Sequence, residues 1–148
     1  MSRCTGPNHI AERKRPMAKR TSLRPAGWTW ADNLSHDLGV MVGETIWVSG
    51  MIAFDPDGNL VGEGDARAQA DKVFSNIAEI LAIGGATLND VVKITAWLTD
   101  FSNYSSYNDA RTAAFPDRLP ASATVLSPQL VLPGLLVEIE AVAVVGTE

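Results

Sequence analysis

Residues 65–85, DARAQADKVFSNIAEILAIGG, contain the clearest element of secondary structure in this sequence. Six apolar residues recur at intervals of three and four positions, which places them on one face of a helix: Ala70, Val73, Phe74, Ile77, Ile80 and Leu81. Asp65 is a typical N-terminal capping residue, and Gly84-Gly85 is typical of a helix end, because Gly readily adopts the left-handed conformation. The stretch therefore predicts an amphipathic helix between Asp65 and Gly84.

Two strands joined by a tight turn are predicted ahead of this helix. Residues 38–42 are apolar, Gly43 and Glu44 are typical turn residues, and residues 45–50 are rich in β-branched and aromatic side chains. The stretch 55–59, DPDGN, predicts a further turn, because Pro presets φ at the second turn position and Gly or Asn tolerates positive φ. We therefore expect a strand at 38–42, a strand at 45–50 and a loop into the helix.

The next element along the chain is predicted to be a strand at Val91–Leu98. Its period-two pattern predicts two faces, one made of Val92, Ile94, Ala96 and Leu98 and the other of Lys93, Thr95 and Trp97. A second helix is expected from about Asn103 to Ala114, ending before Pro116, because proline cannot continue a helix. A short strand is then predicted at Ser122–Leu126.

The last strand, predicted at Leu136–Val145, gives information about both of its faces. One face is continuously apolar and is expected to lie against the helices: Val137, Ile139, Ala141, Ala143 and Val145. The opposite face combines apolar residues with two carboxylates: Leu136, Glu138, Glu140, Val142 and Val144. Since that second face is too apolar for open solvent, we expect a subunit interface to cover it.

The predicted order of elements is β-β-α-β-α-β-β, which favours an α+β domain with a single sheet and two helices on one face. At 148 residues the chain is long enough for one domain with a hydrophobic core and short of what two domains would need. No apolar run approaches the roughly 20 residues that a membrane helix requires. These patterns predict an oligomeric α+β domain that does not enter a membrane.

Charge is distributed unevenly along the chain. Residues 1–24 hold seven of the twelve basic side chains and one of the seventeen acidic ones, although the whole chain has a net charge of −5. The remainder is therefore strongly acidic and would repel a phosphate backbone. We do not expect nucleic-acid binding by the folded part.

The basic segment 1–24 is expected to be a disordered N-terminal tail that precedes a folded domain at 25–148. Three interpretations of the tail stay open. Its composition resembles an organelle transit peptide, although the amphipathic apolar face is missing, and it is also compatible with an accessory nucleic-acid arm. The third, which we favour, is a start upstream of a natural N-terminus at Met17. Cys4 is the single cysteine, which excludes an internal disulfide and a cysteine-built zinc site.

Several short motifs follow one another in a specific order and spacing across residues 36–145. They are Val48-Ser49-Gly50, then Asp65, Gln69 and Asn76 in the helix, Leu88–Thr95 with Leu98-Thr99-Asp100, Phe101–Tyr104 with Asn108 and Phe115, and Val137–Ala143. Together they resemble the RidA/YjgF family of enamine/imine deaminases. The resemblance implies a chorismate-mutase-like α+β fold and a homotrimer with clefts between subunits.

The activity that the resemblance implies is hydrolysis of a reactive enamine or imine of a small molecule, which releases ammonia and leaves a 2-oxo acid. No cofactor and no metal are implied, and we expect a cytoplasmic protein. Glu138 matches the family's water-handling glutamate, and burial between subunits would raise its pKa toward the working pH. Glu140, on the same strand face, would raise that pKa further or serve a structural role.

Four further positions match residues that line the cleft in the family. Ser49 offers a hydroxyl and Gly50 an open backbone amide, whereas Asn108 offers a side-chain amide and Thr124 a second hydroxyl. Each residue type also has a purely structural use, because Gly suits the end of a strand and Asn suits the start of a helix. We treat all four as candidate substrate-binding residues.

One departure from the family pattern concerns substrate binding. The family has an arginine that grips the substrate carboxylate with a bidentate fork, but residues 120–124 are PASAT, with Ser122 in the arginine's place. A charge-assisted hydrogen bond contributes about 1.5–3 kcal/mol. We therefore expect a substrate class different from the usual 2-imino acids. Arg118 is near enough in sequence to reach in, although an exposed loop arginine is the simpler interpretation.

A second departure is His36, which lies thirteen residues before Ser49, where the family commonly has a cleft tyrosine. Histidine can act as an acid or a base, so His36 and Glu138 together would suit hydrolysis of a differently anchored substrate. Three tryptophans would supply either a flat wall for a conjugated ligand or ordinary core packing: Trp28, Trp30 and Trp47.

The sequence leaves two functions open. The first is a cofactor-independent hydrolase acting on C–N bonds, with Glu138 and His36 as the catalytic residues. The second is a non-catalytic small-ligand-binding or chaperone-like trimer that retains the fold. Ribonuclease activity ranks behind both, because the acidic body opposes RNA.

Overall fold

The computed structural model describes residues 17–147. Its strands and helices are β1 (Arg20–Leu23), β2 (Gly39–Val42), β3 (Thr45–Met51), α1 (Ala66–Ile83), β4 (Val91–Leu98), α2 (Tyr104–Ala114), β5 (Ala121–Leu126) and β6 (Val137–Val144). These strands form one sheet in the order β1-β2-β3-β6-β4-β5, in which only β4 and β5 run parallel. The predicted fold class, an α+β domain with one sheet and two helices, is confirmed. Cys4 and most of the predicted tail lie outside the described residues.

α1 begins and ends where the sequence predicts. The side chain of Asp65 accepts a hydrogen bond from the backbone N–H of Ala68 at 3.0 Å, which satisfies one free donor of the first turn. Gly84 ends the helix, and Gly85 follows at φ +78°, a left-handed conformation that favours glycine. The six apolar residues predicted to share one face are all buried.

β6 has the two different faces that its sequence predicts. Its core side is at most 2 % exposed and consists of Val137, Ile139, Ala141 and Ala143. These residues belong to the same hydrophobic cluster as Tyr107 and Ala110 of α2 and the buried face of α1. Both helices therefore cover one face of the sheet, and Glu138 and Glu140 lie on the other.

The folded domain begins earlier than predicted. β1 lies within the segment 1–24 that was expected to be disordered, and it pairs antiparallel with β2. Leu23 is 1 % exposed, and Arg20 forms an ion pair with Asp37 at 2.8 Å. The boundary at residue 25 is therefore wrong for residues 20–23, and the order of elements is β-β-β-α-β-α-β-β. A four-residue strand is too short for its periodicity to stand out against a basic composition.

The predicted faces of β4 are wrong at its first residues. The pairing of β4 with β6 shifts between Val91 and Lys93, so Val91 is 4 % exposed whereas Val92 is 42 % exposed. The alternation follows the prediction from Ile94 onward. Such an irregularity cannot be recognised in the sequence because two successive valines fit either side of the sheet equally well.

Two buried amide side chains attach loops to α1. Gln69 donates to the carbonyls of Gly62 and Gly134 at 3.0 and 2.9 Å and accepts from the backbone N–H of Leu136 at 2.8 Å. Asn76 donates to the carbonyls of two residues that follow β3, Ile52 and Phe54, at 3.1 and 2.9 Å. Because Gln69 and Asn76 are fully buried, these hydrogen bonds have no competition from water.

The Gln69→Leu variant is expected to lower the free energy of unfolding by about 2–4 kcal/mol, since buried backbone groups left without a partner cost about 1–3 kcal/mol each. Urea denaturation at a fixed protein concentration measures the change. The exposed Gln129 provides a matched control, and Gln129→Leu should stay within about 0.5 kcal/mol of the wild type. Equal stability of the two variants would contradict the assigned role of Gln69.

Candidate active site

An irregularity in β3 presents two of the predicted site residues side by side. The register between β3 and β6 shifts between Val48 and Met51, so Ser49 and Gly50 lie opposite the single residue Glu140. A bulge of this kind bends its strand and interrupts the hydrogen-bond ladder, and bulges are common beside active sites. The bulge lies next to the side chain of Glu138, which extends from the neighbouring strand β6.

Gly50 is in direct contact with the carboxylate of Glu138. A Cβ atom placed on Gly50 would lie 2.1 Å from Oε1 of Glu138 and 3.1 Å from its carboxyl carbon. Any larger residue at position 50 therefore has to displace the carboxylate. Only a glycine allows the side chain of Glu138 to come this close to the backbone. From the sequence alone, the same glycine could equally have served to end a strand.

Glu138 is an acid with a raised pKa. Its side chain is half-buried, and this burial raises its pKa above the ordinary value of 4.5, with the negative charge of Glu140 raising it further. Both causes disfavour the ionised form. A carboxyl group in this condition can accept and return a proton closer to neutral pH than an exposed glutamate does.

The hydroxyl of Ser49 positions the segment that carries His36. Ser49 Oγ donates to the carbonyl of Asp37 at 2.6 Å, and the backbone N–H of Ser49 donates to the carbonyl of Leu38 at 2.9 Å. Arg24 donates to the carbonyl of His36 at 3.2 Å. These hydrogen bonds hold His36 beside Ser49, and His36 is exposed to solvent.

A cleft of about 690 Å³ brings these residues together. Its polar lining includes four of the predicted site residues, His36, Ser49, Gly50 and Glu138, together with Glu140. Its apolar lining consists of Trp30, Leu34, Leu38, Ile52, Phe54, Val131 and Leu132. Among residues 17–147, no arginine or lysine lines this cleft.

Of the three tryptophans considered as a flat wall, only Trp30 lines the cleft. It stacks on Trp28, with ring centroids 5.8 Å apart, and meets the ring of Phe54 edge-on at 5.6 Å. Trp28 is buried in the core at 3 % exposure, and Trp47 is 47 % exposed on the sheet face away from the helices. Trp30 and Phe54 therefore form an aromatic wall that Trp28 supports from behind.

A second group of polar residues is organised by Arg111 of α2, a residue that the sequence interpretation missed. Its guanidinium donates to Ser122 Oγ at 3.0 Å and to Asn108 Oδ1 at 2.5 Å, and it lies over the ring of Tyr107 at 5.3 Å from the centroid. A cavity of about 300 Å³ lies beside Arg111 and Ser122. Thr124 follows two residues later on the same face of β5. The sequence did contain one indication of this group, because Asn108 and Arg111 are three residues apart and therefore adjacent on one face of a helix.

Arg118 is engaged elsewhere in the fold. Its guanidinium donates to the backbone carbonyl and the hydroxyl of Thr147 at 2.7 and 3.3 Å. These bonds join the loop before β5 to the chain just after β6. The arginine that contacts Ser122 is Arg111, not Arg118.

The two groups lie on opposite faces of the sheet. Glu138 pairs with Trp97, whereas Ser122 pairs with Ile94, which is fully buried under the helices. Residues that pair across strands point to the same face, and successive residues alternate. One protomer therefore keeps the Glu138 cleft and the Arg111 cavity apart.

Within residues 17–147, no group of three or more His, Cys, Asp or Glu side chains is arranged to hold a metal ion. No helix in this part of the chain is long and apolar enough to cross a membrane.

The fold and the cleft define a class of protein: a small α+β domain in which a glutamate of raised pKa lies against an interrupted strand. The family model described as Endoribonuclease L-PSP matches residues 30–145. The chain belongs to this family, which is the RidA/YjgF family that its motifs resemble, and that prediction is confirmed.

Known relatives are similar over most of this chain. A RutC family protein of Pyrococcus abyssi is 36 % identical over 108 residues, which cover 73 % of this chain and 84 % of the relative. The structure of RidA from an Antarctic Psychrobacter has 34 % identity and a TM-score of 0.72, covering 88 % of this chain and all of that one. YyfA, a conserved Rid family protein of Yersinia pestis, has 30 % identity and a TM-score of 0.78, with 86 % and 100 % coverage.

The Glu140→Gln variant is expected to lower the pKa of Glu138, because it removes the neighbouring negative charge, while burial keeps that pKa above its ordinary value. A pH titration of the Glu138 carboxyl carbon by NMR measures the shift. Glu79, exposed on α1, supplies the control variant Glu79→Gln, which should leave the pKa of Glu138 unchanged. An identical pKa in wild type and Glu140→Gln would show that burial alone is responsible.

The raised pKa of Glu138 also predicts a pH dependence of stability. The folded protein binds the Glu138 proton more tightly than the unfolded chain, so the free energy of unfolding falls as the pH rises from 4.5 through the folded pKa. Glu138→Gln removes this contribution. Urea denaturation between about pH 4 and pH 8 should therefore show the wild type losing stability relative to Glu138→Gln as pH increases; a constant difference would contradict the expectation.

Proposed function

We propose that the protein is a hydrolytic deaminase of small enamines or imines, with Glu138 as the residue that handles water. The observation that carries this proposal is the contact between the Glu138 carboxylate and Gly50 at a bulge that opens into the cleft. Family membership over residues 30–145 supports the same activity. A carboxyl of raised pKa is the type of group that general acid–base catalysis requires.

The proposed reaction needs one water molecule and one proton shuttle. Glu138 accepts a proton from water while the water oxygen bonds to the imine carbon, and it returns that proton to the nitrogen as the C=N bond becomes a C–N bond. Glu138 then takes the hydroxyl proton and passes it to the leaving nitrogen as the C–N bond breaks, which forms the carbonyl, releases ammonia and restores the carboxylate. An enamine enters the same sequence after protonation at carbon gives the imine. Since the imine carbon is already electrophilic, modest assistance from a base is sufficient.

His36 and Ser49 are proposed to act on the same substrate, since both line the cleft with Glu138. His36 lines the cleft with Glu138 and is exposed at its rim, so its imidazole nitrogens are accessible for a hydrogen bond to the substrate. The Ser49 hydroxyl donates its hydrogen to the backbone carbonyl of Asp37. Its oxygen lone pairs can still accept a hydrogen bond from a substrate N–H. Trp30 and Phe54 would pack against the apolar part of the substrate.

We also propose that three copies assemble through the sheet face away from the helices. Trp47 is 47 % exposed and Val125 44 % exposed on that face, which they share with Val142 and Val144. Apolar side chains at this density are typical of a face that another subunit covers. The homotrimer implied by the family resemblance would cover it.

A ribonuclease activity is named in the family description. Residues 25–148 hold sixteen of the seventeen acidic side chains and five of the twelve basic ones. In the part of the chain that the structure describes, the lining of the cleft includes two carboxylates and no lysine or arginine. Both features oppose binding of a phosphate backbone. We therefore place C–N hydrolysis ahead of RNA cleavage.

Ammonia release from freshly generated 2-imino acids tests the proposal. Glu138→Gln is expected to lower kcat by roughly a hundredfold or more, because it removes the proton acceptor. Gly50→Ala should also lose activity while remaining folded, since the atom that its Cβ displaces is the end of a flexible side chain.

Glu44, exposed in the turn between β2 and β3, supplies the matched control Glu44→Gln, which should keep wild-type kcat. Wild-type turnover that is unchanged in Glu138→Gln would exclude Glu138 as the catalytic residue. Wild-type protein that binds ligand in the cleft without any turnover would favour the non-catalytic ligand-binding trimer.

A further inference from the structure

Three polar side chains at the N-terminal strand contact the segment 31–38, which borders the cleft. Arg20 and Ser22 are alternate residues of β1 and share one of its faces, and Arg24 comes directly after the strand ends. Each of the three forms a hydrogen bond to a residue of the segment 31–38. The short strand that the sequence interpretation missed is therefore connected to the active site.

Arg24 bridges two backbone carbonyls of this segment. Its guanidinium donates through one terminal nitrogen to the carbonyl of Ala31, and through the other to the carbonyl of His36 at 3.2 Å. A guanidinium is planar and presents its donors in a fixed fork. Because a single rigid group bonds to both carbonyls, it fixes their separation and with it the course of the chain between them.

Asp37 attaches the end of the same segment to two strands. Its carboxylate accepts from Ser22 Oγ at 2.6 Å and from the guanidinium of Arg20 at 2.8 Å, and these hydrogen bonds lower the pKa of Asp37 below its ordinary value of 3.8. Its backbone carbonyl accepts from Ser49 Oγ at 2.6 Å. Asp37 is therefore bonded to β1 through its side chain and to the bulge of β3 through its backbone.

The segment 31–38 forms one wall of the Glu138 cleft. Leu34 and His36 line that cleft, and both also line a second cavity of about 530 Å³ that includes Arg24. Four of the five residues at 32–36 are exposed, so packing against the core does little to hold them. Because the wall has open space on both sides, its position depends on the hydrogen bonds that it receives.

We propose that Arg24 is a positioning residue of the active site: by bridging the carbonyls of Ala31 and His36, it sets the place of the His36 imidazole relative to the Glu138 carboxylate. This inference rests on the proposed function, in which His36 and Glu138 act on one substrate. A misplacement of about 1 Å in an active site can lower a rate about a hundredfold. A side chain that does not touch the substrate therefore controls turnover through His36.

A double-mutant cycle separates the positioning of His36 from a general stabilisation of the fold. In the imine hydrolysis assay, Arg24→Met and His36→Ala are each expected to lower kcat about tenfold, the size of one lost hydrogen bond. The double variant should be no slower than His36→Ala, because Arg24 acts through His36. Independent losses that make the double variant about a hundredfold slower would overturn the proposal, as would full activity of Arg24→Met.

Three further arginine variants sharpen this comparison. Arg24→Lys keeps the charge but cannot bridge two carbonyls, so its kcat should stay closer to Arg24→Met than to the wild type; full activity would show that charge alone matters and exclude the bridge. Arg20→Met removes one bond to Asp37 from a side chain that is 61 % exposed, so kcat should fall by no more than about fivefold. Arg67→Met is the matched control, since Arg67 pairs with Asp71 on α1, and it should keep wild-type kcat.

NMR of the histidine rings tests the positioning without any turnover. The chain has two histidines, His9 and His36, so the Cε1–H signal of His36 is the one that disappears in His36→Ala. Arg24→Met should shift or broaden this signal, because the segment loses its bridge, whereas Arg67→Met should leave it unchanged. Urea denaturation verifies that each variant is folded.

A His36 signal that is identical in wild type and folded Arg24→Met would overturn the proposal. Should Arg24→Met fail to fold, the smaller change of signal expected in Arg20→Met takes its place, and no change there would count against the proposal in the same way. A signal that changes in a protein without imine hydrolysis would leave the role of Arg24 in placing His36 standing and remove the deaminase function.

Discussion

The side-chain amides of Gln69 and Asn76 join α1 to the segments of chain that border the cleft. Gln69 bonds to backbone groups just before β6, and Asn76 bonds to the carbonyls just after β3. Because both amides are fully buried, loss of any one partner leaves a desolvated group behind, which costs more than a hydrogen bond at the surface contributes. The helix therefore fixes how far apart β3 and β6 open at the bulge, and with it the position of Glu138 relative to Gly50.

Glu138 combines two conditions that oppose each other. Burial and the neighbouring Glu140 disfavour its charge, which appears as a raised pKa, yet nothing forces the side chain out of the cleft, because Gly50 leaves room for the carboxylate. The bulge also favours a binding site here, since it interrupts the hydrogen-bond ladder and leaves backbone groups available to a substrate. Sheet geometry thus provides both the space and the low polarity that a proton-transferring carboxylate needs.

The sheet keeps its carboxylates and the guanidinium of Arg111 apart. Glu138 and Glu140 lie on the face away from the helices, whereas Arg111 bonds to Ser122 on the face that the helices cover. The contact between Arg111 and Ser122 joins α2 to β5, so it depends on how the helix packs against the sheet. Neither segment shows that contact by its own sequence.

The sequence by itself determined α1 with both of its ends, the two faces of β6, the fold class and the family, because these follow from periodicity, capping residues and motif spacing within a single segment. Tertiary structure alone decided the strand at Arg20–Leu23, the shift at Val91–Lys93, the role of Arg111 and the separation of Glu138 from Ser122. Each of these depends on which backbone groups of distant segments pair with one another. That choice is made by the packing of the whole sheet against α1 and α2, and local sequence patterns do not encode it.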